Sequence, residues 1–170
     1  MKRLSVFAVA LSVFAAACGG SKTTAPTATN PSFTTSLSPA NEVPAVVNAE
    51  SGGSGTVTVT FDTTYSGGAL TAASATFNVS LSGFPANTPI NAAHIHPGVA
   101  GATGSPLVNL GLVPGAVVLT TNGSGTFTRG PITMTPEVAQ QIINSPESYY
   151  FNVHSTLNAG GVARGQLRRQ

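Results

Sequence analysis

The sequence predicts an all-β fold, an antiparallel β-sandwich or Greek-key barrel carrying one short helix. Three observations point there. Only 7% of the residues are charged, too few to coat the exposed faces of a helical protein. Glycine and proline are frequent, at 19 and 12, and supply turns. Between those turns run short stretches that alternate apolar residues with Thr, Ser or Asn, the period of a half-buried strand.

Phe33 to Ser38 reads as the first strand of the domain, stopped by Pro39. Thr56 to Asp62 alternates cleanly, with Val57, Val59 and Phe61 on one face and three threonines on the other. Gly67-Gly68 marks a turn. Leu70 to Ser82 is a long strand with Ala75, Phe77, Val79 and Leu81 facing inward. Asn91 to His96 is a short strand, followed by a Gly/Pro-rich loop from Pro97 to Pro106. Leu107 to Leu112, Ala116 to Leu119 and Gly123 to Arg129 are further strands. Thr135-Pro136-Glu137 opens the helix, expected over about 135–145: a capping hydroxyl, a proline suited to the first turn, and an acid at the positive helix end. Ser148 to His154 and Val162 to Leu167 close the chain as strands.

The N-terminal segment has a different character. Met1-Lys2-Arg3 is a short positive start, and Leu4 to Ala17 is an uncharged apolar run. It is shorter than the roughly 20 residues that span a bilayer, and it has the form of a secretory signal over residues 1–17. Ala15-Ala16-Ala17-Cys18-Gly19 follows directly. Small residues before a cysteine at that place resemble a bacterial lipoprotein signal, although Ala15 stands where Leu is commonest. The resemblance implies that Cys18 is lipidated, becomes the mature N-terminus and holds the protein to a membrane of the cell envelope, facing outside the cytoplasm. Residues 18–32, rich in Thr, Ala and Pro, read as a flexible tether. The domain then occupies 33–170.

Without the leader, five basic residues (Lys22, Arg129, Arg164, Arg168, Arg169) balance five acidic ones (Glu42, Glu50, Asp62, Glu137, Glu147). There is no basic stripe to neutralise phosphates, which excludes nucleic acid as a partner. Gly98, Gly101 and Gly104 follow a strand, but Pro97, Pro106 and the lack of a following helix oppose a nucleotide loop. Asp62 is the only aspartate and Cys18 the only cysteine, so neither a Ser-His-Asp arrangement nor a cysteine nucleophile is readable. No catalytic constellation emerges.

All three histidines fall in two stretches, Ala93-His94-Ile95-His96 and Tyr150-Phe151-Asn152-Val153-His154. Residues two apart on a strand share a face. With Ile95, Phe151 and Val153 turned to the core, His94, His96 and His154 lie outside it, together with Tyr150 and Asn152. Three imidazoles on neighbouring strands make a candidate site for copper or zinc, with Asn91, Asn152 and Gln166 as candidates to orient the rings. The competing expectation is structural: the imidazoles hydrogen-bond loop backbone and fix the 97–106 loop. Glu42 and Arg164 are expected to pair as a buried clamp between the first and last strands.

Four stretches in order resemble the CHRD domain, the module described in the chordin family and found in bacterial proteins. They are Leu37-Ser38-Pro39-Ala40-Asn41-Glu42-Val43-Pro44, Ala93-His94-Ile95-His96, Tyr150-Phe151-Asn152-Val153-His154 and Arg164-Gly165-Gln166-Leu167. The resemblance implies a β-sandwich and does not carry chordin's ligand-binding role to this chain; a binding or interaction module is expected, its exposed Thr, Ser and Asn faces suited to an extracytoplasmic protein or glycan as partner. The two outward histidines on one strand also resemble the copper site of Cu/Zn superoxide dismutase. A fourth histidine, the zinc-holding cluster and a cysteine pair are missing, so dismutase activity does not carry over.

Overall fold

The computed structural model of the protein describes residues 27–170. The expected signal segment, Cys18 and the first part of the tether lie outside the described residues. The described chain forms strands β1 (Thr27–Thr29), β2 (Ser32–Leu37), β3 (Ser54–Ser66), β4 (Ala69–Ser82), β5 (Pro89–Pro97), β6 (Val108–Asn109), β7 (Val117–Val118) and β8 (Gly125–Met134). Helix α1 (Pro136–Asn144) follows, then β9 (Tyr149–Ser155), β10 (Ala163–Gln166) and β11 (Arg168–Arg169).

These strands make two antiparallel sheets. One runs in the order β11-β2-β3-β4-β8, with β1 added to β3. The other runs β10-β9-β5-β6, with β7 also paired to β5. The fold is therefore the sandwich of the two expected architectures; the sheets do not close into a barrel.

Alternation builds the core. Phe33, Val57, Val59, Phe61, Phe77 and Val79 from the first sheet meet Ile90, Ile95, Phe151 and Val153 from the second, all buried. Phe77 and Phe151 stack across the gap with ring centroids 6.0 Å apart. The β3–β4 hairpin turns at Gly67 and Gly68, both with φ in the left-handed region (+59° and +83°), which a two-residue turn of this hand requires. Helix α1 begins as its sequence dictates: the Thr135 hydroxyl accepts from the Val138 N–H at 3.3 Å, and Ala139, Ile142 and Ile143 are buried.

Several boundaries differ from those expected. Strand β8 continues through Pro131 to Met134. It lies at the edge of its sheet, where a missing N–H is tolerated, and its register against β4 shifts between Ala75 and Phe77 to admit the irregularity. The stretches around Leu107–Leu112 and Ala116–Leu119 each keep only two strand residues. The expected tether, 18–32, is fastened in its final part, because Thr27–Thr29 pairs with Thr63–Tyr65 of β3.

Candidate metal centre

The site lies on the outer face of the second sheet, and the strand register assembles it row by row. Gln166, Tyr150 and His96 form one row across β10, β9 and β5, and Arg164, Asn152 and His94 form the next. His154 sits one pair further along β9, opposite Ala92. Ile95, Phe151 and Val153 point the other way, into the core. All three imidazoles are outside that core, as expected from alternation. They are nevertheless buried, each under one-tenth exposed, because the 97–106 loop and the segments near Glu42 and Ala159 cover this face.

One ligand atom from each ring can be chosen so that all three lie within 4.8 Å of one another. An ion with bonds of about 2.0 Å to imidazole holds its nitrogens about 3.3–3.5 Å apart, so ring rotations on the order of 1 Å close the set. His94 Nδ1 and His154 Nε2 are already 3.0 Å apart. The ring centroids of His94 lie 4.8 Å from those of His154 and 5.4 Å from those of His96, both edge to face.

Backbone carbonyls fix the tautomers. His96 Nδ1 lies 2.8 Å from the Gly104 oxygen, and His154 Nδ1 lies 2.9 Å from the Ala159 oxygen. A carbonyl only accepts, so both Nδ1 atoms carry hydrogen and both neutral rings present Nε2 as a lone pair. His96 Nε2 is buried with no hydrogen-bond partner. His154 Nε2 faces not only His94 but also the Asn152 Oδ1 at 3.0 Å. His154 Nε2 therefore accepts from His94 Nδ1, and an ion held by the three rings would take the place of that hydrogen. A bound cation satisfies such an arrangement, and donation of the far ring N–H to a carbonyl is the usual support for a ligating histidine.

Protonation is a poor substitute for a cation from outside. Burial, reinforced by the neighbouring His154 and His96, pushes His94 down to about 4 from an ordinary 6.5. His154 is also lowered, chiefly by burial; the Ala159 carbonyl works against this, and His96 adds to it.

The candidates for orienting residues separate. Asn152 touches the imidazoles, as expected. Asn91 does not: the register shift between Ile90 and Ala92 turns it away, and its amide donates to the Thr156 hydroxyl at 2.8 Å. Gln166 acts at one remove, donating to the carbonyls of Gly98 and Glu147, both at 2.9 Å, and of Tyr149 at 3.3 Å.

The expected clamp takes another form. Arg164 is 2% exposed, but its guanidinium donates to the carbonyls of Ala102 at 2.9 Å and Val99 at 3.5 Å and to Gln166 Oε1 at 3.3 Å. It also stacks 3.6 Å above the Tyr150 ring centroid. Glu42 feels Arg164 only as a nearby charge. Burial raises its carboxyl to about 7 from an ordinary 4.5, against the opposing pull of Arg164 and the Asn152 side chain, and its Oε1 has no hydrogen-bond partner.

Tyr150 and the carbonyls of Gly104 and Ala159 were not singled out from sequence. Tyr150 had a signal, since it shares a strand face with His154; it stacks on His96 with centroids 4.8 Å apart and planes 1° apart. Backbone carbonyls leave no trace in side-chain identity. A cleft of about 770 Å³ lies beside the imidazoles rather than over them, lined by Thr34, Ser36, Asn41, Glu42, Arg164 and Arg168 among others.

Comparison with known families decides the relationship. The CHRD domain model matches residues 33–167. The chain belongs to the CHRD family. The match spans β2 through Leu167, so every residue of the three-histidine centre and its supports lies within the CHRD domain. Neither the curated proteins nor the solved structures give a significant match.

Proposed function

We propose that this CHRD domain is a metal-binding module, holding one copper or zinc ion at His94, His96 and His154. Lipidated Cys18 would hold it on the outer side of a membrane of the cell envelope. Two observations support it: His96 Nε2 is buried with no hydrogen-bond partner, and one ring nitrogen from each of the three histidines falls within 4.8 Å of the others. Burying a polar atom with no partner costs about 1–3 kcal/mol, and a bound ion removes that cost. Imidazole suits both metals. The donor set fits a mononuclear site; the two ring N–H groups given to carbonyls would hold His96 and His154 in the binding tautomer. The test is titration with copper and zinc against a competing chelator, in the intact chain and in His154→Ala. Micromolar or tighter binding that His154→Ala abolishes is the expected result. Binding weaker than micromolar, or unaffected by the substitution, rejects the reading.

CHRD membership also supports a binding or interaction module of the extracellular type. The cleft beside the histidines favours this second reading for a polar partner, an extracytoplasmic protein or a glycan, because threonine, serine, asparagine and arginine line it. Chemical-shift changes confined to Thr34, Ser36 and Arg168 on adding oligosaccharides would support it. Changes elsewhere only, or none with any glycan or envelope protein offered, would count against it.

A further inference from the structure

Strand β1 fixes where the chain enters the domain. Thr27 pairs with Tyr65 and Thr29 with Thr63, in antiparallel register. Followed toward the N-terminus, the chain therefore runs along β3 toward the turn at Gly67 and Gly68. Thr27 lies opposite Tyr65, one residue before β3 ends at Ser66. The histidine centre belongs to the other end of the sandwich. Leu37 pairs with Gly55 near the start of β3, and Ser38 bridges to Arg164 just beyond it. Arg164 begins the row that continues through Asn152 to His94. The 42–53 segment lies at this end as well. It leads straight into Ser54, and its Asn48 amide donates to the Asn158 side chain at 2.9 Å.

Two lengths decide which end can face a membrane that holds Cys18. Nine residue steps separate Cys18 from Thr27, and nine steps span about 30–32 Å at full extension. Along β3, eleven steps separate Ser54 from Tyr65, about 36 Å at the rise of a strand. With the histidine end against the lipid, Thr27 would stand farther from the surface than the chain reaches. With the hairpin end against the lipid, the chain has length to spare. The composition of that end fits the same placement. Thr63 to Ala73 carries no charged residue. Ser66 to Ala69 are exposed, and Tyr65 and Leu70 on either side of them are half-buried. A tyrosine ring, apolar in its body and polar at its tip, favours the level of lipid headgroups.

We propose that the tip of the β3–β4 hairpin, Tyr65 to Leu70, is the surface of the domain that rests on the lipid in which Cys18 is anchored. The histidine centre and the cleft beside it then face away, toward the aqueous side. This rests on the lipid-anchor part of the reading above and is independent of the metal. The experiment uses the full lipidated chain in vesicles of phosphatidylethanolamine and phosphatidylglycerol that contain a headgroup-nitroxide lipid. One fluorophore is attached to Ser66→Cys and, in a separate protein, to Val47→Cys. Both positions are exposed, and acylation leaves no thiol at Cys18 to take the label. The expected result is several-fold stronger quenching of the label at position 66 than at position 47. Equal quenching, or stronger quenching at position 47, overturns the orientation and leaves the anchor standing. The Cys18→Ser chain should stay in solution when mixed with the same vesicles. If it binds them as well as the parent does, or if the parent's mass shows no acyl chains, the anchor and the orientation both fall.

Discussion

His94 Nδ1 and His154 Nε2 approach to 3.0 Å across neighbouring strands, although the two residues are not a register pair. His94 pairs with Asn152, and His154 with Ala92. The contact is diagonal, made because imidazole is long enough to lean one pair along the sheet. His154 and His96 also help keep the His94 ring neutral. His154→Ala should therefore do two things. Metal affinity should fall by more than the 10–100-fold that loss of an outer supporting group costs, since a ligand is gone. The His94 ring should titrate closer to its ordinary 6.5 than the value near 4 it has now. Metal competition and NMR titration of the remaining imidazoles read the two effects. A His94 titration left in place would mean that burial and His96 set it without His154.

Gly104 supplies the carbonyl that orients His96, and it does so from a spot with no room for a side chain. A Cβ there would come within 2.0 Å of the Pro97 oxygen. Gly104→Ala should push the loop outward and draw the carbonyl away from His96 Nδ1, with the core untouched. The expected outcome is a fall in metal affinity of about 10–100-fold with a near-normal denaturation midpoint. Equal losses of affinity and stability would show that the loop is part of the folding unit instead.

Arg164 ties the 97–106 loop to the sheet through Ala102 and Val99 while stacking on Tyr150. Lysine keeps the charge but not the planar fork that serves carbonyls and ring together. Arg164→Lys should cost about 3 kcal/mol in urea denaturation, far more than an exposed substitution. Arg168→Lys, on an exposed residue, provides the comparison and should be within about 0.5 kcal/mol of the parent. If the two variants behave alike, the tie is not what holds the loop.

The regular parts of this chain were legible because their cause is local. Alternation at Val57, Val59 and Phe61 specified a strand and its inner face, and Thr135-Pro136-Glu137 specified where a helix starts. The placement of three histidines on one face followed from the same period-two rule. What covers that face followed in part. The expectation that imidazoles bind the backbone of the 97–106 loop matches His96 Nδ1 on the Gly104 carbonyl, whereas the Ala159 carbonyl on His154 was out of reach, because alternation says which way a side chain points and not what folds over it. The partners of Arg164 were missed for a related reason. They are backbone carbonyls of a glycine-rich loop, which any sequence offers, whereas Glu42 was the visible charge. Asn91 was misplaced by a single register shift after Ile90, an irregularity without a side-chain signature.

Glu42 and His94 pull the pH dependence of stability in opposite directions. The Glu42 carboxyl titrates near 4.5 when unfolded and near 7 when folded. Between those values the folded state holds the extra proton, so stability falls as pH rises through that window and levels off above it. The His94 imidazole titrates near 6.5 unfolded and near 4 folded. There the unfolded state holds the extra proton, so stability rises with pH over that window, and the lowered His154 adds to the rise. The windows overlap from 4.5 to 6.5, and the two trends offset each other in the parent protein. Glu42→Gln removes the falling trend alone. Its stability should climb from pH 4.5 to 6.5 where the parent stays comparatively flat, and at pH 7 it should exceed the parent by on the order of 1–3 kcal/mol. Urea denaturation of metal-free protein across pH 4–8 measures both. Parallel profiles for the two proteins would mean that Glu42 is ionised in the fold at pH 5, and that Arg164 and the Asn152 side chain outweigh its burial.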